Sequence, residues 1–442
     1  MGGFSAHKGR ILFYILLAII PLLLWMIGEG TQLVFTNYYL TLTTIAKIAG
    51  IAGISFFAGN LVLSGRYKFL DRLFGGLDRV FLFHRQTGIV TFVLLTIHLV
   101  AITLRNWRTS FFSDIIGFTL NFSNSTINYG RISYYGLLIL IVITLYIRLK
   151  YERLKFLHSF MGVFIFFGAL HAFFIPSDIA RNNYLRVYVL GFVALALVSY
   201  LCRTVFKRWL VRRTIADVVA VNNLGNSITE VVMKPRAGKI AFIPGQFMFL
   251  KFKQAGFPYE DHPFSITASS TEETIRISAK ALGDFTSILP TLSIGATAHI
   301  QGPYGGFTLN RSSKKEQIWI AGGIGITPFT SMARSLRDTI ESKPELKEYS
   351  IDLFYSVKTD AELVYAKEFE EIAARYPNFR FHPWVAERDG FISADAISKK
   401  IDIKNKGVYI CGPKPLLNAL TTQFVAAGTP KNDIHFELFR LL

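Results

Sequence analysis

Six long apolar runs within residues 11–206 leave few choices for the first half of this chain. They lie at about 11–27, 40–63, 81–104, 132–150, 157–175 and 184–206, each close to the ~20 residues that a helix needs to cross a bilayer. A hydrocarbon core offers no partner to a backbone N–H or C=O, so such segments form helices. Residues 214–442 read differently, first as short alternating strands and then as strands alternating with helices. An apolar content of 51% and a mean hydropathy of +0.37 exclude an ordinary soluble enzyme. The 442 residues leave room for a membrane bundle and two compact soluble domains. The expected division is a six-span helical domain over 1–210, an antiparallel β-barrel domain over 211–312 and an α/β domain with a parallel sheet over 313–442. The first run follows Lys8 and Arg10, as a signal peptide would. It lacks a small-residue cleavage site, so an uncleaved first span is expected.

The net charge of +18 matters less than its placement. Arg66, Lys68, Arg72 and Arg79 fall between runs two and three. Arg148, Lys150, Arg153 and Lys155 fall between four and five, and Arg203, Lys207, Arg208, Arg212 and Arg213 follow run six. Residues 28–39 carry no Lys or Arg. The positive-inside rule then puts both termini and the soluble half on the cytoplasmic side of a cell membrane. Juxtamembrane anchoring explains these positions better than nucleic-acid binding, so no nucleic-acid partner is expected. The two cysteines, Cys202 and Cys411, make neither a disulfide framework nor a thiolate metal site.

Four of the nine histidines lie inside apolar runs: His84 and His98 in the third, His158 and His171 in the fifth. Imidazoles there are costly without partners. Runs three and five cross with the same polarity, so His84 and His158 fall near the inner face and His98 and His171 near the outer one. A separation of thirteen or fourteen residues is roughly 20 Å of helical rise. The simplest account is two stacked haems of b type, each held by one histidine from each helix. Two axial imidazoles leave iron no open position, which suits electron transfer. Histidines hydrogen-bonded within a bundle are the competing account; one shared metal ion is excluded by the spacing. Fourteen residues keep His84 and His98 on one face, but thirteen turn His171 roughly 140° from His158. Run five is therefore expected to carry a bulge or to present its ligands at different azimuths. Arg79 and Arg85 could meet haem propionates or simply anchor the inner face; Arg105, Arg108, Arg131 and Arg181 fall on the outer side.

In the soluble half, strands are expected at Ala216–Val221, Ser227–Met233, Gln246–Phe252, Thr274–Ala279 and Thr297–Gln301. Among them sits His262-Pro263-Phe264-Ser265-Ile266-Thr267, followed by Gly283-Asp284-Phe285-Thr286 and by Gly302-Pro303-Tyr304-Gly305-Gly306. A flavin needs an apolar wall and a hydroxyl near its reactive edge, for which Phe264, Ser265 and Thr267 are the candidates. Its phosphates need unhindered N–H groups, for which Gly283 to Ser287 are the candidates. Further on, the strand Gln317–Ala321 feeds Gly322-Gly323-Ile324-Gly325-Ile326-Thr327-Pro328 and a helix from Phe329 to Ile340. That is a pyrophosphate pattern: glycines permit close approach and the helix start favours an anion. The strand Ile351–Tyr355 ends at Ser356 and Lys358, where a hydroxyl and a cation favour NADPH over NADH, with NADH still possible. A solvated loop lysine is the other reading of Lys358. The late strand Val408–Ile410 ends in Cys411-Gly412-Pro413, where no neighbouring base activates the thiol.

Taken together, these motifs resemble the ferric reductase and NADPH oxidase superfamily in a compact, prokaryotic-type six-span form. The resemblance implies a ferredoxin-reductase-like module for FAD and NADPH behind a membrane bundle carrying two haems. It implies haem ligands at His84, His98, His158 and His171. It also implies flavin contacts at His262 to Thr267 and Gly283 to Thr286, and nucleotide contacts at Gly322 to Pro328. Cys411 to Pro413 then lie near the nicotinamide, with Ser265 and Cys411 beside the reacting atoms. Family members often end in an aromatic that covers the flavin; here the tail ends Phe436-Glu437-Leu438-Phe439-Arg440-Leu441-Leu442, and Phe439 is the candidate with Phe436 as its rival. Animal oxidases place a further histidine one turn beyond the outer ligand of span three; Ile102 stands there, so an oxygen site of that kind is not implied. There is no EF-hand loop, and calcium control is not implied.

The function expected is a transmembrane NADPH oxidase that reduces dioxygen to superoxide on the outer face. A ferric-chelate reductase of the same architecture is the alternative, as is a membrane reductase subunit that feeds a protein partner. A transporter with a regulatory nucleotide domain leaves the aligned histidines unexplained.

Overall fold

In the computed structural model, the described residues are 2–27, 35, 37–105, 124–147, 149 and 151–437. The candidate Phe439 therefore lies outside them, as do Arg108, Arg148 and Lys150. Six helices are long and apolar enough to cross a membrane: Lys8–Ile27, Tyr38–Leu63, Leu77–Arg105, Ser125–Thr144, Arg153–Phe174 and Asn183–Val205, here called spans one to six. Spans two, four and six share one starting device, an asparagine cap. The side chain of Asn37 accepts from Leu40 N at 2.9 Å, that of Asn124 from Thr126 N at 3.0 Å, and that of Asn182 from Leu185 N at 3.1 Å. The Asn124 cap moves the start of span four seven residues ahead of the expected 132, because capping overrides the lower apolarity of its first two turns.

Span five has the irregularity that the histidine phase demands. Its helix runs Tyr151–Ser159, breaks at Phe160 and resumes over Met161–Phe174. At the break the bonds tighten to three-residue spacing: Phe160 N donates to Leu157 O at 3.0 Å and Val163 N to Phe160 O at 2.8 Å. The break falls between His158 and His171. The helices pack around Trp25, Phe57, Leu61, Ile165, Leu185, Val189 and Val193. A lysine inside span two, Lys47, is neutralised by Asp178 at 2.8 Å, and Trp25 Nε1 donates to the same carboxylate at 2.7 Å.

The chain divides into two units, one of His7–Tyr67 with Val80–Val211 and the other joining Lys68–Arg79 to the chain from Arg212 on. In the second unit, β1 (Thr214–Asn223), β2 (Ile228–Pro235), β3 (Phe247–Lys253), β4 (His262–Ser265), β5 (Ile275–Lys280) and β6 (Thr297–Tyr304) form one antiparallel sheet in the order β4-β3-β6-β1-β2-β5. A parallel sheet follows, with β7 (Glu316–Gly322), β8 (Ser350–Val357), β9 (Phe379–Val385), β10 (Gly407–Cys411) and β11 (Ile434–Glu437) in the order β11-β10-β7-β8-β9. The first strand of that sheet, β7, stands between the second and the fourth. This is the doubly wound arrangement, whose switch point lies between β7 and β10. The expected strands stand where the sequence put them, and β4, β9 and β11 are additional.

Candidate functional site

The four membrane histidines meet in two pairs. His84 and His158 have ring centroids 6.1 Å apart, and His98 and His171 6.5 Å apart, both pairs at an interplanar angle of 74°. An ion bonded at about 2.0 Å by one nitrogen of each ring would hold the centroids about 6.3 Å apart, so each pair is spaced for two axial ligands to one iron. On three of the four rings the outer nitrogen is already committed. His98 Nδ1 lies 2.7 Å from Ala46 O, His171 Nδ1 2.8 Å from Thr126 O, and His84 Nδ1 3.2 Å from Asn60 O. A carbonyl there fixes the proton on Nδ1 and leaves Nε2 to ligate.

Glycines make this contact possible. A Cβ on Gly50 would stand 2.6 Å from His98 Nδ1, and one on Gly130 3.0 Å from His171 Nδ1. Each glycine lies four residues after the residue whose carbonyl accepts, Ala46 in one case and Thr126 in the other. The ring thus slides over the bare turn to reach an oxygen that the helix already uses. Among the described residues no group of three or more His, Cys, Asp or Glu side chains could hold a metal ion.

In the antiparallel sheet, His262 stacks on Phe285 at 3.9 Å, so the two candidate flavin motifs are brought together. Phe264 is different from expectation. It is only 8% exposed, and its ring packs with Phe285 in the core of the antiparallel sheet. It is therefore no open wall for a flavin. Ser265 is buried, and Thr267 is fully buried with Oγ1 lacking any partner among the described residues. An orphaned hydroxyl there fits a missing polar ligand at this motif. Gly283 to Thr286 begin a helix of a single turn, Asp284–Ser287, shorter than a full phosphate-binding helix start. Thr286 Oγ1 caps it, 3.1 Å from Gly283 N.

The nucleotide motif lies at the switch point. Gly322 ends β7, Gly323 takes φ +53° with open space beside it, and the helix Thr327–Thr339 starts with Pro328 in its first turn. Gly325 backs onto the turn that follows β10: a Cβ there would stand 2.2 Å from Cys411 O. A Cβ on Gly412 would stand 3.1 Å from Gly322 Cα. The two turns therefore touch backbone to backbone, at the carboxyl ends of adjacent strands where such sheets bind ligands. Cys411 is fully buried, and burial pushes its thiol well up, which rules against a nucleophile. Ser356 lies in β8 and Lys358 just past it, exposed; its neighbour Glu362 is engaged by Lys280 at 3.2 Å.

A further cluster was not legible in advance. Asp71 Oδ1 accepts from Gly305 N at 3.1 Å, and Arg311 Nη1 donates to Gly75 O at 2.9 Å. Burial pushes the Asp71 carboxyl up to about 6. At the end of β11, burial drives Glu437 well up, with Asp78 and Asp71 adding to it, and burial lowers neighbouring His435 to about 3. An acid inside a mostly apolar tail was the one available signal for Glu437.

Together these sites define a membrane-spanning oxidoreductase with a flavin-type and a nucleotide-type domain. Residues 49–169 match the ferric reductase like transmembrane component, 213–320 an FAD-binding domain and 319–422 an oxidoreductase NAD-binding domain. The chain belongs to the ferric reductase and NADPH oxidase superfamily, as a multi-pass, NAD(P)H-dependent flavin oxidoreductase. It is similar to the toluate 1,2-dioxygenase electron transfer component of Pseudomonas putida, 28% identical over 51% of this chain and 67% of that one. It is also similar to the propane 2-monooxygenase reductase component of Mycolicibacterium smegmatis, 27% identical over 50% of this chain and 66% of that one. A flavohemoprotein of Oceanobacillus iheyensis is 27% identical over 48% of this chain and 55% of its own length. The chain thus spans about two thirds or less of these relatives. A solved cytochrome P450 reductase from Amycolatopsis is similar at a TM-score of 0.45, with 23% identity over 52% of this chain and 70% of that one.

Proposed function

We propose that the chain is a transmembrane NADPH oxidase of the cell membrane, moving electrons from cytoplasmic NADPH by way of FAD and two b-type haems to dioxygen on the outer face, with superoxide as product. The observation that carries it is the double histidine pair, centroids 6.1 Å and 6.5 Å apart on spans three and five. When bound, the flavin supplies the exchange of two-electron for one-electron chemistry and the haems supply one-electron carriage.

The chain's own residues bind and orient. His84 with His158 would hold the inner iron and His98 with His171 the outer one. The carbonyls of Asn60, Ala46 and Thr126 keep three of those rings in the ligating tautomer. His262, Ser265 and Thr267, with Gly283 to Thr286, hold the flavin. Gly322 to Pro328 hold the pyrophosphate, and Cys411 to Pro413 shape the floor under the nicotinamide. A working division into domains over 1–210, 211–312 and 313–442 follows these assignments, with both termini cytoplasmic.

Two histidines on each iron would leave no open position, so the acceptor would take its electron without ligating, as dioxygen and ferric chelates both can. Cytochrome c reduction that superoxide dismutase abolishes is the expected result with purified protein and NADPH. Fast ferric-citrate reduction without superoxide would instead assign a ferric-chelate reductase. For the donor, Lys358→Ala should raise the KM for NADPH about tenfold and leave that for NADH unchanged, since only the 2′-phosphate meets the ammonium group. Equal effects on both nucleotides would remove Lys358 from the site.

A further inference from the structure

The helix that opens at the nucleotide turn, Thr327–Thr339, carries a polar stripe at Ser331, Arg334, Ser335 and Asp338. Such a stripe on an amphipathic helix is ordinarily its solvent face. Here three of the four are buried: Ser331 is 0%, Arg334 7% and Ser335 4% exposed. Each meets the segment that continues directly from the flavin motif, residue by residue. Arg334 Nη1 donates to Thr267 O at 2.8 Å and Ser331 Oγ to Ala268 O at 2.8 Å. Ser335 Oγ accepts from Ser270 N at 2.7 Å, and Asp338 Oδ2 from Thr271 Oγ1 at 3.1 Å.

Behind the seam, the other side of the Arg334 fork is locked. Its Nε and Nη2 donate to the two oxygens of Glu368, both at 2.8 Å. Glu230 of β2 lies 3.8 Å away and accepts from Tyr365 OH at 3.1 Å. Tyr365 itself sits in the left-handed region at φ +65°, a strained conformation that the surroundings must hold. Its hydroxyl is also 2.5 Å from Ser278 Oγ on β5. Burial alone would lower the Arg334 guanidinium; the Glu368 bonds outweigh it, so the charge is kept.

An apolar interface tolerates sliding, whereas directional bonds to consecutive backbone groups admit one register. The first rung, at Thr267, is the last residue of the flavin motif; Ser331 is one turn from the helix start, about 6 Å of rise from the nucleotide turn. We propose that this polar seam is a positioning device for hydride transfer: it holds the flavin strand and the nucleotide turn in register before NADPH arrives, with Arg334, Ser331 and Ser335 as positioning residues. This rests on the flavin and nucleotide sites proposed above. The hydride passes with its electron pair from the nicotinamide to the flavin in either case; the seam sets only the distance and angle at which it does so.

The experiment uses the full chain in detergent, with FAD supplied. Arg334→Lys keeps the charge but loses the fork, and the Ser331→Ala/Ser335→Ala pair leaves Arg334 intact should removal of the guanidinium unfold the protein. Flavin reduction by NADPH is followed anaerobically in single turnover, with NADPH and with NADPH deuterated at the transferred position. Both variants should slow flavin reduction about tenfold, enlarge the isotope effect and leave FAD content and NADPH KM within about twofold. An unchanged rate, or a loss that only tracks lost FAD, would overturn the seam's role. Absence of NADPH-driven flavin reduction in the unmodified protein would overturn the sites themselves, and the seam with them.

Discussion

His98→Ala and His171→Ala are each expected to remove one of the two proposed haems and to cut electron delivery to the outer face by at least about 100-fold, with NADPH-driven flavin reduction retained. On the proposed assignment each ring would hold one side of the same iron, and the remaining imidazole could not supply the second nitrogen that a centroid spacing of 6.5 Å provides. The inner pair, 6.1 Å apart, is untouched by both changes. Gly50→Val and Gly130→Val make a subtler version of the same test. They keep both histidines but place carbon where the rings now lie, at 2.6 Å from His98 Nδ1 and 3.0 Å from His171 Nδ1. Haem quantification and reduced-minus-oxidised spectra check all four variants. Two haems with unaltered spectra in both alanine variants would remove the ligand assignment.

Gly325→Ala is expected to raise the KM for NADPH at least about tenfold, because its Cβ meets main chain rather than a side chain that could turn aside. The new atom would lie 2.2 Å from Cys411 O and 2.8 Å from Gly412 N, so the turns after β7 and β10 must part. Those turns form the two walls of the switch-point crevice, and parting them displaces whatever they hold. Flavin reduction by dithionite, which needs no nucleotide, should be unaffected. An unchanged NADPH KM would show that the crevice is not the nucleotide site.

What could be read from the sequence was what local chemistry decides. Apolar length gave the spans, and imidazoles within them gave the two pairs. Asn37, Asn124 and Asn182 are ordinary caps and could have fixed three helix starts. A bulge in run five was one of two outcomes left open by the thirteen-residue phase, and the break at Phe160 was not locatable, since no proline marks it. Gly50 and Gly130 stayed hidden because glycine is common in membrane helices, and only the partner ring shows which glycine matters. The same holds for Arg334 and its neighbours: a polar stripe reads as solvent-facing until the packed segment is known. Asp71 and Gly305, 234 residues apart, lie beyond any local rule, and the charges around residues 66–79 read as membrane anchors or, at Arg79, as a propionate partner. Phe264, read as an open wall for a flavin, packs into the core of the antiparallel sheet instead.

The central claim is electron flow from NADPH across the membrane through the two histidine pairs. It is tested most directly in sealed vesicles that enclose cytochrome c and expose the soluble half outward, with NADPH added outside. The account predicts reduction of the enclosed cytochrome c by the unmodified protein and its loss in His98→Ala, with NADPH-driven flavin reduction retained in both. Reduction confined to acceptors on the NADPH side, or equal transfer by the His98→Ala protein, would contradict it.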